Sequence, residues 1–141
     1  MLINSKPKIV LFHPGYLRFT IDEYDEKDIE DEQKLMVHLT NNCYQVKHKE
    51  YKAKKEQSIG RWDLMEEEIG NLQSDKLKHQ IKRILTMTYA AAQRKLMKKK
   101  GTYELLGCDF IVDNNCNPYL LEVNTNPAMF TDTQVQKEII P

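Results

Sequence analysis

Residues 103–124 constrain the fold more than any other part of this 141-residue chain. Two runs, 103–113 (YELLGCDFIVD) and 119–124 (YLLEVN), alternate with period two and read as strands around the turn-rich linker Asn114-Asn115-Cys116-Asn117. A linker that pairs Asp113 with Pro118 fixes the register and sets Asp109 opposite Glu122. Glu122 and Asn124, two apart, then share that face through strand alternation. Acids inside apolar strands are costly to bury unless paired or bound to a cation, and like charges directly opposite repel. A divalent cation between Asp109 and Glu122 removes both costs. Mg²⁺ takes a few hard oxygen ligands and completes its octahedron with water and phosphate oxygens, so Asp109, Glu122 and Asn124 form a candidate Mg²⁺–nucleotide set. The same pattern describes a surface hairpin whose polar face meets water, and the pattern alone does not choose between the two.

The remaining elements are simpler. Residues 8–12 (KIVLF) form a β-branched run ended by His13-Pro14-Gly15, and 16–20 (YLRFT) resume the alternation, which predicts two strands joined by a tight turn. Residues 33–61 show no clean period, apart from a short element near 35–39. Residues 62–69 (WDLMEEEI) predict a short helix. The clearest helix runs over 75–100, with Ser74 as N-cap and Gly101 after it. Leu77, Ile81, Ile84, Leu85, Thr88, Ala91, Ala92 and Leu96 make its buried stripe.

Zero net charge, from 21 Lys+Arg and 21 Asp+Glu, hides strong segregation. Residues 21–32 hold eight acids and one Lys, and 21–33 are expected to be an acidic loop. Residues 47–61 carry a net +4, 75–100 a net +8 and 101–141 a net −5. Basic blocks beside an acidic, metal-capable segment suit an anionic ligand or an acidic polypeptide. They lack the interleaved aromatics and motifs of nucleic-acid binding, so nucleic acid is not an expected partner. A mean hydropathy of −0.65 and the lack of a long apolar run exclude a spanning helix. The N-terminal residues also lack the apolar core of a signal peptide. Cys43, Cys108 and Cys116 fit no disulfide framework or metal knuckle and are expected as reduced thiols, in keeping with a cytoplasmic protein.

Three motifs occur in a familiar order. They are Gly15-Tyr16-Leu17-Arg18-Phe19; His38-Leu39-Thr40-Asn41 with Gln45; and the run from Gly107 to Ala128, GCDFIVD…PYLLEVNTNPA. Together they resemble the tubulin tyrosine ligase-like family, with an ending closest to its glycine-adding branch. The resemblance implies an ATP-grasp fold, α+β in class, of which this chain would be the C-terminal subdomain, an antiparallel sheet with packed helices. It also implies a ligase that uses ATP and Mg²⁺ to activate a protein carboxylate as an acyl phosphate, which an amino-acid amine then attacks. By that resemblance Asp109, Glu122 and Asn124 match Mg²⁺-binding positions. Arg18 matches a catalytic cation near the terminal phosphate, and Thr40 and Asn41 match a nucleotide-contact segment. His38 is read as structural. The implied partners are acidic tails such as those of tubulin and a free amino acid, glycine or glutamate before tyrosine, with neither nucleic acid nor membrane. The implied location is cytoplasmic, at microtubules or cilia. The basic block over 47–61 suits an acidic acceptor, and charge reversal at Lys52, Lys54 and Lys55 is expected to weaken its binding. Residues 1–141 correspond to the C-terminal part of such a domain, with the N-terminal subdomain and its phosphate-holding lysines outside the match. The alternative is therefore a catalytically inactive ATP-grasp fragment that binds tubulin or microtubules.

Overall fold

The computed structural model of the chain describes residues 1–5, 8–25, 34–97 and 99–140. In chain order its strands are β1 (Leu2–Ser5), β2 (Lys8–Leu11), β3 (Leu17–Arg18), β4 (Ile59–Gly60), β5 (Tyr103–Leu105), β6 (Gly107–Val112) and β7 (Pro118–Asn124). Its α-helices are α1 (Asn42–Gln45), α2 (Tyr51–Lys54), α3 (Trp62–Ile69), α4 (Asn71–Ala92) and α5 (Gln134–Ile139), with 3₁₀ turns at Lys34–Val37 and Lys55–Ser58. Every pairing is antiparallel, in three small sheets, which is the expected α+β class. The chain divides into two compact units. One joins Met1–Pro14 to Met65–Met129, and the other joins Gly15–Leu64 to Phe130–Pro141. Most of the acidic segment expected as a loop, residues 26–33, lies outside the described residues, as does Lys98.

In the first unit β1 is the centre of a three-stranded sheet of order β2-β1-β5, and β6 and β7 form a separate hairpin. The single strand expected over 103–113 is therefore two. Residues 103–105 pair with β1 and residues 107–112 pair with β7, so the chain changes partner at Leu106. Leu106 is buried there and exchanges main-chain hydrogen bonds with Met1: its N–H donates to the Met1 carbonyl at 2.8 Å and its carbonyl accepts from the Met1 ammonium at 2.9 Å.

Helix α4 supplies the apolar centre of this unit, with Leu77 and Leu85 buried on the predicted stripe. Its bounds differ from expectation. It begins after Gly70, whose φ of +77° suits glycine and turns the chain out of α3. The expected N-cap, Ser74, instead lies inside the helix. Ser74 is fully buried, with its N–H on the Gly70 carbonyl at 3.0 Å, an ordinary bond of the helix's first turn. The helix stops at Ala92, short of Lys100, where Arg94, Lys95, Lys99 and Lys100 would stack like charges on adjoining turns.

In the second unit β3 pairs with β4, with Leu17 opposite Gly60 and Arg18 opposite Ile59. The expected hairpin of 8–12 with 16–20 does not form. Gly15 does turn the chain (φ +77°), but β2 pairs with β1, the segment just before it, and β3 pairs with the distant β4. Gly60 is needed where it stands: a Cβ would meet the Phe19 ring at 2.5 Å and Leu64 Cδ1 at 2.8 Å. Apart from Tyr51, the buried side chains described in this unit are polar: Gln45, Ser58, Thr133 and Gln136. Polar groups are tolerated inside only when hydrogen-bonded, and here they are. Thr133 and Gln136 close a capping box on α5, and Ser58 Oγ donates to the Lys55 carbonyl at 2.7 Å.

Candidate metal and nucleotide site

The β6–β7 hairpin places Asp109 opposite Glu122 and Gly107 opposite Asn124, as the sequence predicts. The route to that register differs. Near the turn the pairs are Val112 with Pro118, Ile111 with Tyr119 and Phe110 with Leu120, and the register shifts between Asp109 and Phe110. The connection is thus one residue longer than the expected linker, and one extra residue of β7, Leu121, restores the pairing further along. A β-bulge of this kind re-aims the side chains beyond it.

Asp113 explains the longer connection. Its Oδ1 accepts from the backbone N–H groups of Asn115 (2.9 Å) and Asn117 (2.7 Å). Its Oδ2 accepts from Asn117 Nδ2 (3.0 Å) and the Tyr119 hydroxyl (3.2 Å). These bonds, those from Asn117 above all, hold its carboxyl below the usual carboxylate range. Asp113 is occupied in holding the turn, where Cys116 takes a φ of +60°. It therefore serves structure and is no ligand candidate.

The three expected ligands sit together on this hairpin. Asp109 is half-buried, while Glu122 and Asn124 are exposed. Asn124 Nδ2 donates to Glu122 Oε1 at 3.1 Å, which ties the amide to the carboxylate. Among the described residues Glu122 has no ion-pair partner. Two carboxylates facing across strands, with an amide oxygen beside them, are an all-oxygen donor set of the kind Mg²⁺ accepts. No cluster of three or more His, Cys, Asp or Glu occurs among the described residues, so a metal held here would rely on the Asn124 amide and on non-protein oxygens. Gly107 sits at the end of the hairpin, where a Cβ would come within 2.8 Å of Pro127 Cβ. Cys108, beside Asp109, has its thiol pushed up by burial, which disfavours the thiolate form.

The other expected residues lie in the second unit. Arg18 is exposed on β3; its Nη2 donates to the Tyr16 hydroxyl at 3.3 Å, and its guanidinium lies 5.7 Å from the Tyr16 ring centroid. Tyr16 thus orients the cation, and an aromatic two residues along the strand was the available signal. Thr40 and Asn41 are exposed at the start of α1. Asn41 is the N-cap, its Oδ1 accepting from Cys43 N at 3.0 Å, which leaves the Thr40 hydroxyl and the Asn41 amide N–H₂ without partners among the described residues. Such exposed donors suit phosphate or ribose oxygens. Behind them His38 meets Tyr24 edge-on at 5.3 Å and has a buried Nε2 without a partner among the described residues.

Two of the three lysines expected to face an acidic acceptor are held in ion pairs. Lys54 is paired with Glu50 at 2.5 Å and Lys55 with Asp132 at 3.7 Å. Of the three lysines expected to face an acceptor, only Lys52 is exposed without an ion pair among the described residues, and Lys49 shares that state. No helix among the described residues is long and apolar enough to cross a membrane.

Comparison with known proteins adds the lineage. The profile of the Tubulin-tyrosine ligase family matches residues 1–141. The chain is similar to the inactive polyglycylase TTLL10 of Homo sapiens, at 34% identity over all of this chain and 22% of that protein. It is equally similar to the protein polyglycylase TTLL10 of Macaca fascicularis, at 34% over all of this chain and 24% of the relative. With the probable alpha-tubulin polyglutamylase Ttll1 of Tetrahymena thermophila it shares 28% identity over 94% of this chain and 32% of the relative. The chain thus spans about a fifth to a third of the length of these relatives. No solved structure matches it significantly.

Proposed function

The chain belongs to the tubulin-tyrosine ligase family, and we propose that it provides the metal and phosphate side of an ATP-dependent protein–amino-acid ligase. The reading rests on one observation, the Asp109–Glu122 pair with Asn124 beside it, three oxygen donors on one hairpin with no ion-pair partner for Glu122 among the described residues. In this reading Asp109, Glu122 and Asn124 hold Mg²⁺, and Thr40 and Asn41 contact the nucleotide. Arg18, steadied by Tyr16, stabilises charge on the transferring phosphoryl group. ATP and Mg²⁺, when bound, would supply the terminal phosphoryl group that activates an acceptor carboxylate, leaving ADP; the amine of a free amino acid would then displace phosphate from that acyl group to form the new amide bond. The acceptor is an acidic tail of tubulin, and the added residue is glycine or glutamate before tyrosine. Relatives named polyglycylase, glycylase and polyglutamylase support that order. An ATP-grasp architecture, a cytoplasmic location and association with microtubules belong to the same proposal.

A second reading is an inactive module that docks on microtubules; the human relative, named an inactive polyglycylase, favours the loss of activity in it. One experiment separates them: transfer of labelled glycine, glutamate or tyrosine to purified tubulin with ATP and Mg²⁺. Wild type is expected to incorporate glycine or glutamate, and Glu122→Gln to lose incorporation while still co-sedimenting with microtubules. No incorporation by wild type of any of the three, with unchanged sedimentation, would establish the docking module instead.

A further inference from the structure

Gln45 is 1% exposed, the most buried polar side chain described in the second unit apart from Thr133, and none of the roles above uses it. Its amide reaches three separate stretches of backbone. Oε1 accepts from Ile21 N at 3.0 Å, and Nε2 donates to the Met36 carbonyl at 2.7 Å and to the Leu39 carbonyl at 2.6 Å. Its own backbone N–H donates to the Asn41 carbonyl at 3.0 Å. Gln45 therefore holds the residues on both sides of Thr40, one by its side chain and one by its main chain. Both Nε2 hydrogens are used, so no other side chain of this size makes the same set: Glu lacks the donors, and Met or Leu lacks every polar atom.

We propose that Gln45 is a positioning residue, a buried clasp that fixes Thr40 and Asn41 in the conformation in which they meet the nucleotide. This rests on the nucleotide role given to Thr40 and Asn41 above. The physical case is that an exposed two-residue segment loses affinity when it must be ordered on binding, whereas a segment held beforehand does not. Here the 3₁₀ turn at Lys34–Val37, the Asn41 cap and α1 are all short, so local propensity cannot order the segment and the buried amide must.

The test compares wild type with Gln45→Met, which keeps side-chain volume, and Gln45→Glu, which keeps the acceptor for Ile21 but offers no hydrogen to Met36 or Leu39. Ser58→Ala is the control, since Ser58 is also buried in the same unit and also donates to a backbone carbonyl. Two readouts are taken at a temperature where circular dichroism shows all four proteins folded. The first is amide hydrogen exchange over residues 38–45, and the second is ATP affinity by calorimetry with Mg²⁺ present. Both Gln45 variants are expected to exchange at least about tenfold faster at Leu39 and Tyr44 and to bind ATP about tenfold more weakly, with Ser58→Ala like wild type in both. Unchanged exchange in the Gln45 variants overturns the clasp. Faster exchange with wild-type ATP affinity overturns its part in binding, as does an equal loss of affinity in Ser58→Ala, which would mark a general stability effect. If wild type itself binds no ATP, the nucleotide role of Thr40 and Asn41 fails together with the positioning role, and the exchange result then stands for the clasp alone.

Discussion

Glu122→Gln should make the protein more stable without metal and blind to metal, two effects of opposite sign from one atom change. The substitution is isosteric and keeps an oxygen to accept from Asn124 Nδ2, so the bond at 3.1 Å survives. What it removes is a negative charge directly across the strands from Asp109. Like charges so placed destabilise a pair by roughly 0.2–1 kcal/mol. Glu122 is exposed, and solvent screening puts the expected gain at the lower end, about 0.3 kcal/mol. At about 3–5 °C per kcal/mol for a chain of this size, the variant should melt about 1–2 °C higher in metal-free buffer. Mg²⁺ should act the other way. A ligand that binds only the folded protein stabilises it by about 1.4 kcal/mol at ten times its Kd, so wild type should gain about 4–7 °C and the variant almost nothing. The assay is thermal unfolding by circular dichroism with and without MgCl₂, with KCl at matched ionic strength as control. A variant that melts lower than wild type in metal-free buffer and keeps the Mg²⁺ shift would refute the reasoning, because Glu122 would then be neither repelled by Asp109 nor bound to the cation.

Gly107→Ala should destabilise by about 1–3 kcal/mol, since the new methyl meets Pro127 Cβ at 2.8 Å and a ring carbon has no flexible end to yield; chemical denaturation measures it, and no loss would mean that Pro127 moves freely. Charge reversal at Lys49 and Lys52 should weaken binding of a glutamate-rich peptide and flatten its salt dependence, measured by fluorescence anisotropy. Reversal at Lys54 and Lys55 should change binding less, because those cations already face Glu50 and Asp132, and the opposite ranking would count against this assignment. Asp113 has a depressed folded pKa, so its contribution is present above its unfolded value near 3.8 and is lost as the pH falls through the lower folded value. Asp113→Ala should therefore melt lower than wild type at pH 7, and the gap should close below about pH 4; a gap constant from pH 7 to pH 2 would show that the carboxylate does not lock the turn.

Much of the candidate site was legible because its signal is local. Strand alternation in YLLEVN puts Glu122 and Asn124 on one face, and helix α3 ends where its sequence says. Yet the Asp109–Glu122 pairing came out right through two compensating deviations. The Asp113 hydrogen bonds lengthen the connection by one residue, and the bulge at Leu121 takes that residue back up; period-two reading encodes neither. The strand break at Leu106 and the pairing of β3 with β4 were not legible, since each is decided by a strand far away in sequence, while β2 is taken by the neighbouring β1, a segment for which the sequence pattern predicts no strand. Helix α4 was placed about four residues late because Ser74 has the chemistry of an N-cap, while Gly70 sets the start by backbone conformation alone. Helix α5 did carry a readable signal, the Thr133-x-x-Gln136 capping box, in a stretch too short to show a period. The clasp at Gln45 was visible only as a motif residue, because its three backbone partners come from segments that the fold brings together.

The most direct test of the metal reading uses Mn²⁺ as a paramagnetic stand-in for Mg²⁺, with backbone amide NMR of the isotope-labelled chain in the presence of ATP. The account predicts that substoichiometric Mn²⁺ broadens residues 107–110 and 121–125 first and most, and that Glu122→Gln abolishes the effect. Broadening centred on another acidic segment, or a hairpin untouched at saturating ATP, would contradict it.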